Sequence, residues 1–287
     1  MSAPARPAPL PSSRTPGDLP PPGRPGRRAR LVEAVRQWVR APVLRQIVGN
    51  PGLSVLTLKT SLYGDSFANE SLRKIARLVE DAELRAKIAR HHADEEKHAR
   101  LLAEAIVALG GEPAFTPVER DVFHHFLAKL DQLHDGEVGL APARLDLDRP
   151  LAPVEIIRFL AFALEPEWRG AAYFRAHLAA VPAGTRIHEI LTEIVADEER
   201  HVGYLTAELE RFARAGLRAE IRDTRRQCRR RWAALFPGVG HTLGAFSAAL
   251  RGCGYRPVGR PARLAWLVLR PLLAACEART RAEAPRA

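Results

Sequence analysis

Only three cysteines occur in the 287 residues (Cys228, Cys253 and Cys276); they stand far apart, and no Cys-x-x-Cys pair exists. A disulfide framework and a rubredoxin-type or zinc-ribbon site are therefore unsupported. Aromatic residues make up 6% of the chain and β-branched runs are scarce, while alanine, leucine and arginine dominate. That mixture favours helix over sheet. Long apolar runs are missing as well. The stretch MSAPARPAPLPSSRTPGDLPPPGRPG has no apolar h-region, so it is not read as a secretory signal. It reads instead as a disordered Pro/Arg-rich leader over residues 1–29. Near the other end, LAWLVL (264–269) stops at Arg270-Pro271, too short to span a bilayer. The expectation is a reduced, cytoplasmic protein.

What is present is a chain 46% apolar, enough for a sizeable core, with a net charge of +11 placed unevenly. Residues 1–30 carry six arginines and one aspartate, and residues 217–287 carry fifteen arginines and four acids. The middle is thus mildly acidic, and the basicity sits at the two ends. Such ends suit phosphate or an anionic membrane surface, without choosing between them.

Helical patterns and their stop signals divide the chain. One runs over about 30–48 and ends at Gly49-Asn50-Pro51; the next cover about 53–80 and 82–109, the latter closed by Gly110-Gly111. A crossover of about forty residues follows, with a helix expected near 117–133. Pro150 and Pro153 then introduce a helix over about 152–180, and another runs from 185 to 215 or beyond. The order of two long helices, a long crossover and two long helices is that of a ferritin-like four-helix bundle. An all-α domain is expected over 30–216, with an extra N-terminal helix and a basic helical extension over 217–287.

The two helix pairs repeat each other. HADEEKHARLL (92–102) lies over VADEERHVGYL (195–205) at an offset of 103, and Leu-Tyr-Gly-Asp (62–65) aligns with Leu-Glu-Pro-Glu (164–167). Residues three, four, seven and eight apart share a helix face. One such face reads Leu84, Ile88, His91, Glu95, His98, Leu102; its counterpart reads Ile187, Leu191, Ile194, Glu198, His201, Leu205. Glu and His therefore interrupt apolar stripes and point inward, whereas Glu96, Lys97, Glu199 and Arg200 lie off the face and are expected in solvent. Four inward acids (Asp65, Glu95, Glu167, Glu198) are costly to bury unpaired. Two divalent ions would cancel their charge and two neutral imidazoles would complete the set; hard oxygens with two histidines suit iron or manganese. Glu70 is an alternative to Asp65, and Glu165 competes with Glu167. Gly64 and Pro166 each weaken the helix beside an acid, as a plain kink or as room made at a metal.

These residues resemble the ferritin-like di-iron carboxylate superfamily, in which two helices supply one carboxylate each and two supply Glu-x-x-His. The resemblance covers roughly 53–215. It implies Asp65, Glu95 and His98 around one iron and Glu167, Glu198 and His201 around the other, with Glu95 and Glu198 bridging. The fuller Asp-Glu-x-(Arg/Lys)-His form is similar to the hydroxylase subunits of bacterial multicomponent monooxygenases and to the small subunit of ribonucleotide reductase. It implies that Asp94 holds His201 and Asp197 holds His98. His91 stands where the repeat has Ile194. It is read either as a satisfied core histidine or as a catalytic group, a third nitrogen ligand or a proton donor. Tyr63, Tyr173 and Tyr204 are read as core packing.

Three functions follow from the resemblance. One is an O2-activating oxygenase or hydroxylase with two iron ions (Fe/Mn is an alternative), a separate electron donor, and a small organic or lipophilic substrate. The second is an iron oxidase or rubrerythrin-like peroxidase, though the missing Cys-x-x-Cys pairs count against a self-contained rubrerythrin. The third is a non-enzymatic, metal-stabilised bundle that binds a partner through its basic ends. Leu102, where reductases place a radical tyrosine, counts against a reductase. The Arg-rich RRQCRRRW (225–232) and RLAWLVLRPLLAAC (263–276) would pack on the bundle or meet a peripheral membrane or RNA. A homodimer is allowed for.

Overall fold

A computed structural model describes residues 47–116 and 148–228, without the side chains of 66–68. The leader, most of the 30–48 helix, the 117–133 helix and the basic extension beyond 228 lie outside the described residues. Within them all regular structure is helical, in four long helices: α1 (Pro51–Leu78), α2 (Ala82–Ala108), α3 (Pro153–Leu178) and α4 (Arg186–Phe212). No helix among the described residues is long and apolar enough to cross a membrane.

Each helix starts where the sequence supplies acceptors for its free N–H groups. Asn50 accepts from the Leu53 N–H at 3.0 Å, with Pro51 in the first turn. Asp81 accepts from Glu83 and Leu84. Thr185 accepts from His188. At α3 the cap residue is Ala152, and the Glu155 carboxylate takes the Ala152 N–H at 2.7 Å instead. The hairpin turns differ in length, 79–81 in the first and 179–185 in the second, where Gly184 adopts φ 78°. Neither Gly64 nor Pro166 breaks its helix. Pro166 cannot donate an i→i−4 hydrogen bond, yet α3 runs through it unbroken.

The core consists of two apolar clusters. One gathers Leu72, Ile75 and Leu78 of α1, Leu84 and Ile88 of α2, Ile157 and Leu160 of α3, and Leu205, Leu209 and Phe212 of α4. The other gathers Leu58, Leu102, Ala105, Ile106, Phe174, Ile190, Leu191 and Ile194. Their order along the chain makes α1 antiparallel to α2 and α3 antiparallel to α4, with α2 also packing on α4. α3 enters at the end where α2 began, and the Leu151 N–H donates to the Leu78 carbonyl there at 2.9 Å. Each fully buried leucine or isoleucine contributes about 1.5–3 kcal/mol. Past Phe212 the helix is kinked within Ala213–Leu217, where Gly216 leaves the helical conformation at φ 94°. Residues 218–228 continue as helix and bury Ile221 and Cys228 in the first cluster, so the start of the basic extension packs on the bundle.

Candidate metal centre

Between the two apolar clusters lies a polar layer contributed by all four helices. α1 brings Asp65, α2 brings His91, Asp94, Glu95 and His98, α3 brings Glu167, and α4 brings Asp197, Glu198 and His201. The inward half of each motif is buried: His98 and His201 expose 0% and 1% of their surface, and Glu95 and Glu198 only 3% and 4%. Ligand atoms of His91, Glu95, Glu167 and His201 lie within 4.8 Å of one another, as do those of Asp65, Glu95 and His98. Glu95 belongs to both groups. Glu198 adjoins the second, with its Oε1 3.9 Å from His98 Nδ1. Its other oxygen rests against α3 where Gly170 leaves room, since a Cβ there would stand 2.8 Å from Oε2.

The histidines are held from behind, across the two hairpins. His98 Nε2 lies 3.1 Å from Asp197 Oδ2, and His201 Nε2 lies 3.2 Å from Asp94 Oδ2. With Nε2–H donated to the aspartate, each ring presents Nδ1 to the carboxylates. His201 Nδ1 is 3.1 Å from Glu167 Oε2 and 3.5 Å from Glu95 Oε1. Burial lowers the pKa of His98, favouring the neutral ring that a metal requires.

The charges follow the geometry. Burial, and then Glu95 and Glu167, push Asp65 well above the usual carboxylate range. Burial, and then Glu167, Glu95 and Asp65, do the same to Glu198. Burial also opposes ionisation of Glu167, but His91 and His201 outweigh it and hold that carboxyl well below its ordinary value. Carboxylates crowded in this way cannot all ionise without positive charge among them.

Two off-face residues are not the solvated charges expected of them. Lys97 and Arg200 keep only 28% and 33% of their side chains exposed. Arg200 donates to Asp94 Oδ2 at 2.7 Å and to Asp197 Oδ1 at 2.5 Å, and Lys97 Nζ lies 2.5 Å from Asp197 Oδ2. Their long stems reach over the helix edge, so both cations clamp the paired aspartates. Against burial, Lys97, Arg200 and His98 hold Asp197 down at about 2. Glu96 and Glu199 are exposed as expected. Glu70 is 59% exposed and pairs with Lys74 at 2.8 Å, so it is no substitute for Asp65. Glu165 is buried, but Glu167 is the α3 acid among the grouped donors.

His91 is in the layer, not in a packing niche apart from it. Its ring stacks on that of His201 with centroids 3.7 Å apart. Nε2 faces Glu95 Oε1 at 3.3 Å and Glu167 Oε1 at 3.4 Å, and Nδ1 lies 2.8 Å from the Tyr204 hydroxyl. Burial disfavours charge on this ring, but Tyr204, Glu167 and Glu95 outweigh it and hold its pKa well above the histidine range. Sequence reasoning assigned Tyr204 to packing. The available signal was the repeat itself: Tyr204 replaces Leu101, just as His91 replaces Ile194, and these two polar departures touch each other.

Asp65 Oδ2, His91 Nε2 and His98 Nδ1 are buried and have no hydrogen-bond partner. Three such atoms in one layer are costly in a protein interior unless a cation meets them. Hard carboxylate oxygens with imidazole nitrogens fit divalent iron or manganese. Comparison with protein families, with curated proteins and with solved structures finds no match to this chain.

Proposed function

We propose that the chain is a ferritin-like di-iron oxygenase or hydroxylase that uses O2, electrons from a separate donor and an organic substrate. The observation that carries the metal reading is the set of buried donors without partners, Asp65 Oδ2, His98 Nδ1 and His91 Nε2, within a layer of four acids. Asp65, Glu95 and His98, joined by Glu198, would hold one ion, and Glu167 and His201 with His91 the other, with Glu95 shared between the two positions. Bound iron would supply redox and Lewis-acid chemistry toward O2.

The protein's own residues do the rest. Asp197 and Asp94 fix the tautomers of His98 and His201, so that Nδ1 is free to bind. Arg200 and Lys97 keep those aspartates ionised and close off the layer on that side. The apolar clusters above and below exclude water and strengthen every electrostatic contact between them.

The test is anaerobic reconstitution of the full chain with Fe(II), metal counting, and stopped-flow mixing with O2. Two irons per chain and a transient visible absorbance whose decay depends on added substrate support the oxygenase. Rapid iron turnover without substrate dependence identifies an iron oxidase, and absence of metal uptake overturns both.

A further inference from the structure

We propose that the two metal positions are unequal, the one bounded by His91, Glu95, Glu167 and His201 taking its divalent ion first and more tightly, because Tyr204 holds His91 in place as a third nitrogen donor. This rests on the metal reading above and adds an order of loading to it. In that position four donor atoms, two nitrogens and two oxygens, already lie within 4.8 Å of one another. The other position has three such atoms, from Asp65, Glu95 and His98. Its fourth donor, Glu198, rests against Gly170 and must swing inward to join. A preformed donor set binds more tightly than one that has to be assembled, and added imidazole favours later divalent metals.

Tyr204 makes His91 a donor by acting on its far side. When the ring is neutral, with Nδ1–H donated to the phenol oxygen at 2.8 Å, Nε2 is the nitrogen left to bind a metal ion. Nε2 faces two carboxylate oxygens at 3.3 and 3.4 Å without a hydrogen bond to either. The two oxygens favour a cation at that point, a proton in the metal-free chain or a divalent ion in its place. The first hairpin has leucine at the place of Tyr204, and the second has isoleucine at the place of His91, so neither group has a mirror image at the other position. Tyr204 is thus a positioning residue.

The experiment titrates the full-length, metal-free chain with Co(II) without O2, by calorimetry and visible absorbance. The wild type should take up two ions in two steps, with dissociation constants separated by about tenfold or more. Tyr204→Phe keeps the ring and should weaken the first step by about 10–100-fold, change its Co(II) spectrum, and leave the second step unmoved. Asp65→Asn should remove the second step alone. If Tyr204→Phe loses its helical circular dichroism, His91→Ala read in the same way carries the test. Two equal steps in the wild type, or a first step untouched by both variants, overturn the proposal while leaving the metal centre standing. No uptake at all overturns the metal centre itself.

Discussion

The first hairpin, α1 and α2, and the second, α3 and α4, carry one motif at one depth, yet they are not equivalent. Each gives one acid from its first helix and an Asp-Glu-x-cation-His run from its second. Each aspartate reaches across to the other hairpin's histidine. The repeat therefore builds a layer that neither hairpin could complete alone. The differences fall elsewhere: His91 against Ile194, Tyr204 against Leu101, and His177 against Ile75. Shared residues make the centre, and unshared ones give its two ends separate properties.

The strongest way to break the comparison is to remove the residue that belongs to both halves. Glu95→Ala should abolish uptake of both metals, read as metal per chain, whereas Asp65→Asn costs only one. Next come the crossing contacts. Asp94→Ala should weaken the position served by His201, and Asp197→Ala the position served by His98, each by about 10–100-fold in metal affinity. If each variant instead affected the position on its own hairpin, the crossing would be of no consequence. Gly170→Ala acts on the Glu198 side alone. Its Cβ would sit 2.8 Å from Glu198 Oε2, so a several-fold loss at the second position is expected, with the first unchanged.

A smaller effect concerns stability and pH. His177 is 2% exposed, its Nδ1 has no hydrogen-bond partner, and burial lowers its pKa. A histidine depressed in the folded state gives stability that is present above its unfolded pKa, about 6.5, and lost as pH falls below that value. Acidification from pH 7 to 5 should therefore lower stability through this residue, read as a fall in Tm. His177→Ile, which restores the residue of the first hairpin, should flatten that part of the pH–Tm curve. The smallest effect is at Glu70. Exposed and paired with Lys74, Glu70→Gln should leave metal affinity unchanged at both positions.

Much of this centre was legible without coordinates. The 3–4 spacing that interrupts two apolar stripes with Glu and His places Glu95, His98, Glu198 and His201 inward, and all four are buried. Caps and breakers set the helix limits to within about two residues because Asn50, Asp81 and Thr185 act locally. Lys97 and Arg200 were misplaced because face assignment follows Cβ direction, and a long flexible stem carries its charge well away from that direction. Glu70 and Asp65 could not be ranked from spacing along α1 alone.

By itself the sequence determined that the chain is helical, that two helix pairs repeat, and which acids and histidines turn inward. Those properties follow from periodicity and capping, which act within a few residues of the chain. Only the tertiary structure decided that the aspartates cross between hairpins, that Arg200 and Lys97 clamp them, and that His91 meets Tyr204. These contacts join residues about a hundred positions apart, and they depend on how α2 is rotated and shifted against α4. No local pattern encodes that placement, because it is set by the packing of whole apolar faces.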